Sequence, residues 1–280
     1  MSYFLRIFDN FHYTDESEAY DHGEYETYEY ALIDAKAIVD RFLIHSWKHG
    51  ITPENLFSQW DDFGEDPAIC SDGHYNHVVF SARTYAQTIS AEICRKLENK
   101  NETQSLYQEV IKFATAKHME RDQRVPGTDL PYVVHLSTVA MEILIAASNS
   151  DNFNLGFAVQ VALLHDTIED TYSDLAELEN KFGTEIANAV SALTKNTELP
   201  KEQQMPDSLT RIKKMPPEVW AVKLADRITN LQPPPSHWNK EKILTYQEEA
   251  RTILSELKDG NQYLSKRLET AIENYLIFIN

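Results

Sequence analysis

The stretch that most restricts how this chain folds is Phe157-Ala158-Val159-Gln160-Val161-Ala162-Leu163-Leu164, together with the polar sequence that ends it, His165-Asp166-Thr167-Ile168-Glu169-Asp170-Thr171. An apolar run of this kind reads as a helix buried on most of its faces. Such a helix does not close on four ionisable side chains unless they find partners, because unpaired buried charge is costly. His165 with Glu169, and Asp166 with Asp170, stand four apart, so on one continuous helix each pair shares a face. One imidazole and three carboxylates at the end of an apolar segment describe a metal site with an acid–base shell. The alternative is a helix end that simply reaches water. Three carboxylates there oppose the helix dipole, which favours cations at that end. A bound cation removes the conflict.

The 280 residues leave room for one large domain or two ordinary ones. No run is long enough to span a bilayer, and residues 1–10 lack the basic-then-apolar layout of a signal peptide. Cys70 and Cys94 are the two cysteines; with no zinc-type pair, they read as reduced thiols in a cytoplasmic protein. The net charge of −18 argues against nucleic acid as a partner, since phosphate neutralisation needs excess Lys and Arg. A phosphate-rich ligand would need local positive charge, which a divalent metal supplies.

The first hundred residues read as a small α+β unit. Ser2 to Phe8 has strand character, and an acidic, tyrosine-rich stretch follows from Asp9 to Tyr30. Ala31 to Trp47 has helical spacing, and Thr52-Pro53-Glu54 opens a short helix with a Thr cap and Pro at its first position. Gly64, Pro67 and Gly73 predict loops, Val78-Val79-Phe80 a strand, and Thr84 to Leu97 a closing helix. Residues 1–100 carry 18 acidic and 8 basic side chains, so the acidity is concentrated here, on a surface that could engage a protein partner. His45 and His49 have the spacing of a zinc-protease helix, but Ser46 stands where that motif has its Glu, and they read as ordinary surface residues. The polar segment Lys96 to Thr103 is the expected boundary, dividing an acidic domain over 1–98 from a second domain over 104–280.

The second domain reads as an all-α bundle, so the chain as a whole is expected to be mainly α. Tyr107, Val110, Ile111, Ala114 and His118 share a helical face, and a loop with Pro126, Gly127 and Pro131 follows. Val133 to Ala147 is a second apolar helix, with His135 near its start. A histidine on such a face is ordinarily a satisfied core residue; the pattern downstream favours a ligand. Beyond the central stretch lie helical segments over Ser173–Phe182 and Glu185–Leu193, then a charged segment broken by proline. Pro217 to Leu231 is again strongly apolar and contains Lys223, Asp226 and Asn230; Lys240–Leu257 and Tyr263–Ile279 finish the chain. Three separate apolar helices thus carry His135, His165 with Asp166, and Asp226, a donor mixture that suits Mn²⁺, Fe²⁺ or Zn²⁺. Spacing alone does not bring the three together.

The order His135, His165-Asp166, Asp226 resembles that of the HD superfamily of metal-dependent phosphohydrolases. Gln123-Arg124, Gly127-Thr128, Pro131-Tyr132-Val133-Val134-His135, Leu163 to Thr171, Phe182-Gly183, Thr194-Lys195 and Val222 to Arg227 are similar, in order, to the hydrolase domain of the RelA/SpoT family, and most of all to its small single-domain alarmone hydrolases. The resemblance covers nearly all of residues 105–280. It implies that His135, His165, Asp166 and Asp226 hold Mn²⁺, or another divalent metal, and that pyrophosphate is removed from the 3′ position of (p)ppGpp. It also implies that Glu169 and Asp170 orient and deprotonate the attacking water, with Glu169 the first choice as general base. By the same resemblance Arg124 packs on the guanine face, and Asn230 lies near the ribose and base. Where the family usually has Lys, Arg and Thr, this chain has Val125, Gln232 and Pro233, and Leu136 stands in place of a proline. These departures thin the positive charge around a nucleotide. Lys195, Lys213, Lys214 and Lys223 remain to meet phosphates, and two rival readings stay open: another phosphorylated nucleotide (an adenine alarmone or a nicotinamide dinucleotide phosphate), or a regulatory adaptor that binds a nucleotide without turnover.

Overall fold

The computed structural model describes residues 2–12, 15–71 and 80–278. It divides into two compact units, Met1–Glu102 and Thr103–Asn280. In the first, strands β1 (Tyr3–Asp9), β2 (Tyr20–Tyr25) and β3 (Glu65–Ser71) form an antiparallel sheet in the order β2-β1-β3. Period-two alternation along β1 turns Leu5 and Ile7 fully inward. Helix α1 (Tyr28–Ser46) covers the sheet with Ala31, Ala35, Ile38, Val39 and Leu43, the i, i+4, i+7, i+8, i+12 stripe that the spacing predicts. Helix α2 (Pro53–Phe63) starts as expected, with Thr52 Oγ1 accepting from the Asn55 N–H and Pro53 at the first position.

Two expectations in this unit need correction. Glu65–Ser71, which follows Gly64, is not a loop but β3, paired with β1 along its whole length from Tyr3↔Ser71 to Asp9↔Glu65. Among the described residues β3 is an edge strand, a position where Pro67, with no N–H to donate, is tolerated. The expected strand at 78–80 lies largely outside the described residues, although Phe80 itself is buried. The polar segment Lys96–Thr103, expected as the boundary after a helix ending at Leu97, is itself helical: α3 runs unbroken from Ala82 to Glu120. That segment holds no Gly or Pro, and its Lys, Leu and Glu residues are good helix formers, so polarity alone does not stop the helix. The unit division falls between Glu102 and Thr103, inside α3.

The second unit is all helical. Helices α4 (Val133–Ser148), α5 (Leu155–Leu164) and α10 (Pro217–Asn230) pack on one another at its centre, surrounded by α7 (Leu175–Phe182), α8 (Thr184–Leu193), α9 (Lys201–Ile212), α11 (Lys240–Leu257) and α12 (Gln262–Asn274). Seven of the ten residues of α5 are buried, as its composition demands. The charged segment expected to be broken by proline is instead the helix α9, with Pro206 inside it. Pro206 removes one N–H of the second turn, while Ser208, Leu209 and Ile212 bury the inner face and hold the helix in place. Among the described residues no helix is long and apolar enough to cross a membrane.

Candidate metal centre

The central stretch does not form one continuous helix. Helix α5 stops at Leu164; His165 keeps helical angles at φ −54° and ψ −32°, and Asp166 leaves them at φ −101° and ψ 1°. A single turn, α6 (Thr167–Asp170), then starts anew. The one-face argument for His165/Glu169 and Asp166/Asp170 is therefore superseded. The break separates the four groups into a donor pair, His165 and Asp166, and an outer pair, Glu169 and Asp170.

The donors from the three central helices converge. His165 Nε2 lies 2.9 Å from Asp166 Oδ2, 3.3 Å from His135 Nε2 and 3.6 Å from Asp226 Oδ1. His135 Nε2 lies 3.6 Å from Asp166 Oδ2 and 3.5 Å from Asp226 Oδ1. Donors bound about 2.1 Å from a shared ion stand roughly 3.0–3.5 Å apart, so the separations among His135, His165 and Asp226 fit one metal, with Asp166 beside both imidazoles. The second atoms of the imidazoles support the same reading. The His165 Nδ1–H donates to the Ala162 carbonyl at 2.7 Å, and His135 Nδ1 lies 3.5 Å from the Thr229 hydroxyl, which itself donates to the Asp226 carbonyl. Each Nε2 thereby faces the centre, the usual arrangement for ligating histidines. Asp226 is further held by Lys223 Nζ at 3.0 Å and Asn230 Nδ2 at 2.6 Å, and Asp166 accepts from the Tyr132 hydroxyl.

The electrostatics match. Burial opposes the charged forms of His165, Asp166 and Asp226, yet mutual attraction wins. The carboxylates raise the His165 pKa well above its ordinary value; His165 lowers that of Asp166, and Lys223 with the two imidazoles lowers that of Asp226. One buried and one half-buried aspartate with two imidazoles are a donor set that a dication neutralises.

The outer residues divide as follows. Glu169 accepts from Lys195 twice, from Nζ at 2.6 Å and from the backbone N–H at 3.1 Å. Asp170 accepts from Gln123 Nε2 at 2.7 Å, and its pKa is raised by burial and by the nearby charge of Asp166. Arg124 is exposed and folds onto its own loop, donating to Asp122 Oδ1 and the Asp129 carbonyl. Lys213 is paired with Glu256. Sequence reasoning passed over Tyr132, Thr229 and His118 as site residues. The signal for His118 was present, a histidine on the same face as Val110 and Ala114. His45 and His49 do not come together as a site: α1 ends at Ser46, and His49 pairs with Glu98.

The HD domain family matches residues 111–261, more than half of the chain, and all four donors lie within that span. The chain belongs to the HD-domain family. The HD unit is also similar to the guanosine-3′,5′-bis(diphosphate) 3′-pyrophosphohydrolase MESH1 of Mus musculus, at 32% identity over 170 residues, covering 59% of this chain and 92% of the relative. The guanosine-3′,5′-bis(diphosphate) 3′-pyrophosphohydrolase of Aquifex aeolicus is 27% identical over 128 residues, 45% of this chain and 17% of that longer protein. A solved metazoan orthologue of SpoT, described as hydrolysing ppGpp and acting in starvation responses, superposes with a TM-score of 0.53 at 26% identity, covering 60% of this chain and 94% of the other. Membership of this family and the converging His and Asp donors mark a divalent-metal site.

Proposed function

We propose that the HD unit is a Mn²⁺-dependent hydrolase that removes pyrophosphate from the 3′ position of ppGpp, leaving GDP. The observation that carries this reading is the convergence of His135, His165, Asp166 and Asp226 from three distant helices. When bound, the ion acidifies a water and offsets charge on a phosphoryl oxygen. The protein's own groups do the rest. Asp170, held by Gln123, orients the water, and Glu169 takes its proton. The oxygen then attacks phosphorus as the bond to the 3′ oxygen breaks. Lys195 and Lys223, now on Glu169 and Asp226, lie beside the centre and exchange those partners for substrate phosphates. Arg124 swings off Asp122 to stack on the base, and Asn230 meets the ribose and base.

Val125, Gln232 and Pro233 favour a second reading, the same centre acting on another phosphorylated nucleotide. The test is turnover by purified protein with Mn²⁺ against ppGpp and a panel of such nucleotides, with pyrophosphate and orthophosphate read separately. Pyrophosphate from ppGpp is the expected result. Orthophosphate from a different nucleotide supports the second reading, and tight binding with no turnover of any panel member removes both.

A further inference from the structure

His118 is 1% exposed, lies near the end of α3, and takes no part in the chemistry described above. Its Nδ1 lies 2.8 Å from Gln123 Oε1, while Gln123 Nε2 lies 2.7 Å from Asp170 Oδ2. The ring stacks on Tyr132 at 4.7 Å, and Tyr132 in turn donates to Asp166. The other ring nitrogen, Nε2, is buried with no hydrogen-bond partner among the described residues.

The proton inventory of this chain of groups has one consistent solution. A carboxylate accepts, so Gln123 must present its NH₂ to Asp170 and its carbonyl oxygen to His118. That oxygen needs a donor, so the imidazole carries its proton on Nδ1. A proton on Nε2 instead would leave a buried N–H unpaired and two acceptors facing each other. Burial also lowers the His118 pKa, which keeps the ring neutral and the tautomer single. Gln123 sits in the loop after α3 and has no fixed orientation of its own. Without His118 its amide is free to turn its oxygen toward Asp170 and repel it.

The geometry points to His118 and Gln123 as positioning residues: the Nδ1–H tautomer of His118 fixes the Gln123 amide, which fixes the direction in which the Asp170 carboxylate presents its free lone pairs to the attacking water. This rests on the hydrolase reading for its kinetic consequence but not for its tautomer. Neither residue touches the reacting atoms.

The kinetic test is a double-mutant cycle in the full chain with Mn²⁺. Gln123→Leu removes the link. His118→Phe keeps the ring on Tyr132 but removes the donor, and His118→Asn restores an N–H near the Nδ1 position. Each of the first two is expected to lower kcat about 10- to 100-fold with KM and Mn²⁺ affinity unchanged. The double variant should be no slower than Gln123→Leu alone, and His118→Asn should recover most of the rate. Losses that multiply in the double variant, or a His118→Asn as slow as His118→Phe, would mean that His118 acts through packing and would overturn the proposal. The second readout needs no turnover: nitrogen-resolved NMR of the imidazole should show His118 protonated on Nδ1 in the wild type and losing that single tautomer in Gln123→Leu. A wild-type ring protonated on Nε2 overturns the proposal even if every variant is slow. If the wild type hydrolyses nothing, the hydrolase reading fails and the tautomer still decides this one.

Discussion

The two units bury their polar groups in opposite ways. In the first, Ser90 is the single buried polar side chain among the described residues, and it donates to the Ala86 carbonyl one turn back. Its charged groups pair outside the core, as Arg6 with Asp21, Arg83 with Asp61 and Lys96 with Glu92. The HD unit instead buries His118, His135, His165, Asp226, Glu142, Glu218 and Arg227. A fold needs no such groups for its core, and each costs desolvation unless it is satisfied. Some are satisfied structurally: Glu142 accepts two bonds from Arg267, and Glu218 caps the Asn154 N–H. Those that converge without a structural need, His135, His165 and Asp226 at the meeting point of α4, α5 and α10, form the candidate metal site. Charge content therefore says little about where chemistry lies. Buried charge that neighbouring side chains do not fully account for says much.

The largest expected effect separates the units completely. Asp226→Ala should lower Mn²⁺ affinity more than about 100-fold and abolish hydrolysis, read by calorimetry and product release. Mn²⁺ at 100 times its Kd should stabilise the HD unit by about 2.7 kcal/mol and leave the first unit unchanged in hydrogen exchange. Equal protection of both units would break the comparison. Glu169→Gln is expected to keep the metal and slow turnover about 10²- to 10⁴-fold; normal turnover would remove Glu169 from its role.

A smaller contrast lies in the ion pairs. Arg267→Leu leaves the buried Glu142 carboxylate unpaired and should cost about 1–3 kcal/mol in denaturant unfolding. Arg83→Ala, at the exposed pair with Asp61, should cost less than about 1 kcal/mol.

The smallest effect is the response to acid, where the units should diverge in sign. Burial lowers the His118 pKa, so the unfolded chain takes that proton first. The HD unit loses stability as pH falls below 6.5 toward the lowered folded value. Burial raises the Asp66 pKa, so its carboxylate weakens the first unit at neutral pH. That penalty fades as pH falls through the raised value and is gone below 3.8. Asp66→Asn should therefore raise the melting temperature of the first unit at pH 7 and have no effect below pH 3.8.

Reading the site from sequence succeeded where the information is local. The apolar run of α5, the Thr52 and Pro53 start of α2, and the α1 stripe follow from periodicity and capping, which act over a few residues. It missed β3 because a strand with Pro67 inside it owes its existence to β1, some sixty residues away. It missed the continuity of α3 because a polar composition is equally compatible with a loop and with a solvated helix. The donors His135, His165, Asp166 and Asp226 were nameable from residue type on apolar helices, but only a resemblance, not spacing, implied that they share one ion. Nothing local showed that α5 ends at Leu164, so the expected pairing of His165 and Glu169 on one helical face does not form.

By itself, then, the order of residues determined which segments are helical, which faces are apolar and which side chains are able to bind a metal. Those properties depend on neighbours within about four positions along the chain. The tertiary structure alone decided that His135, His165 and Asp226 share one space with Asp166 beside the imidazoles, that Lys195 lies on Glu169, and that His118 reaches Asp170 through Gln123. Such contacts join residues between five and nearly a hundred positions apart. Only the packing of α4, α5 and α10 and the fold of the loop after α3 set their distances.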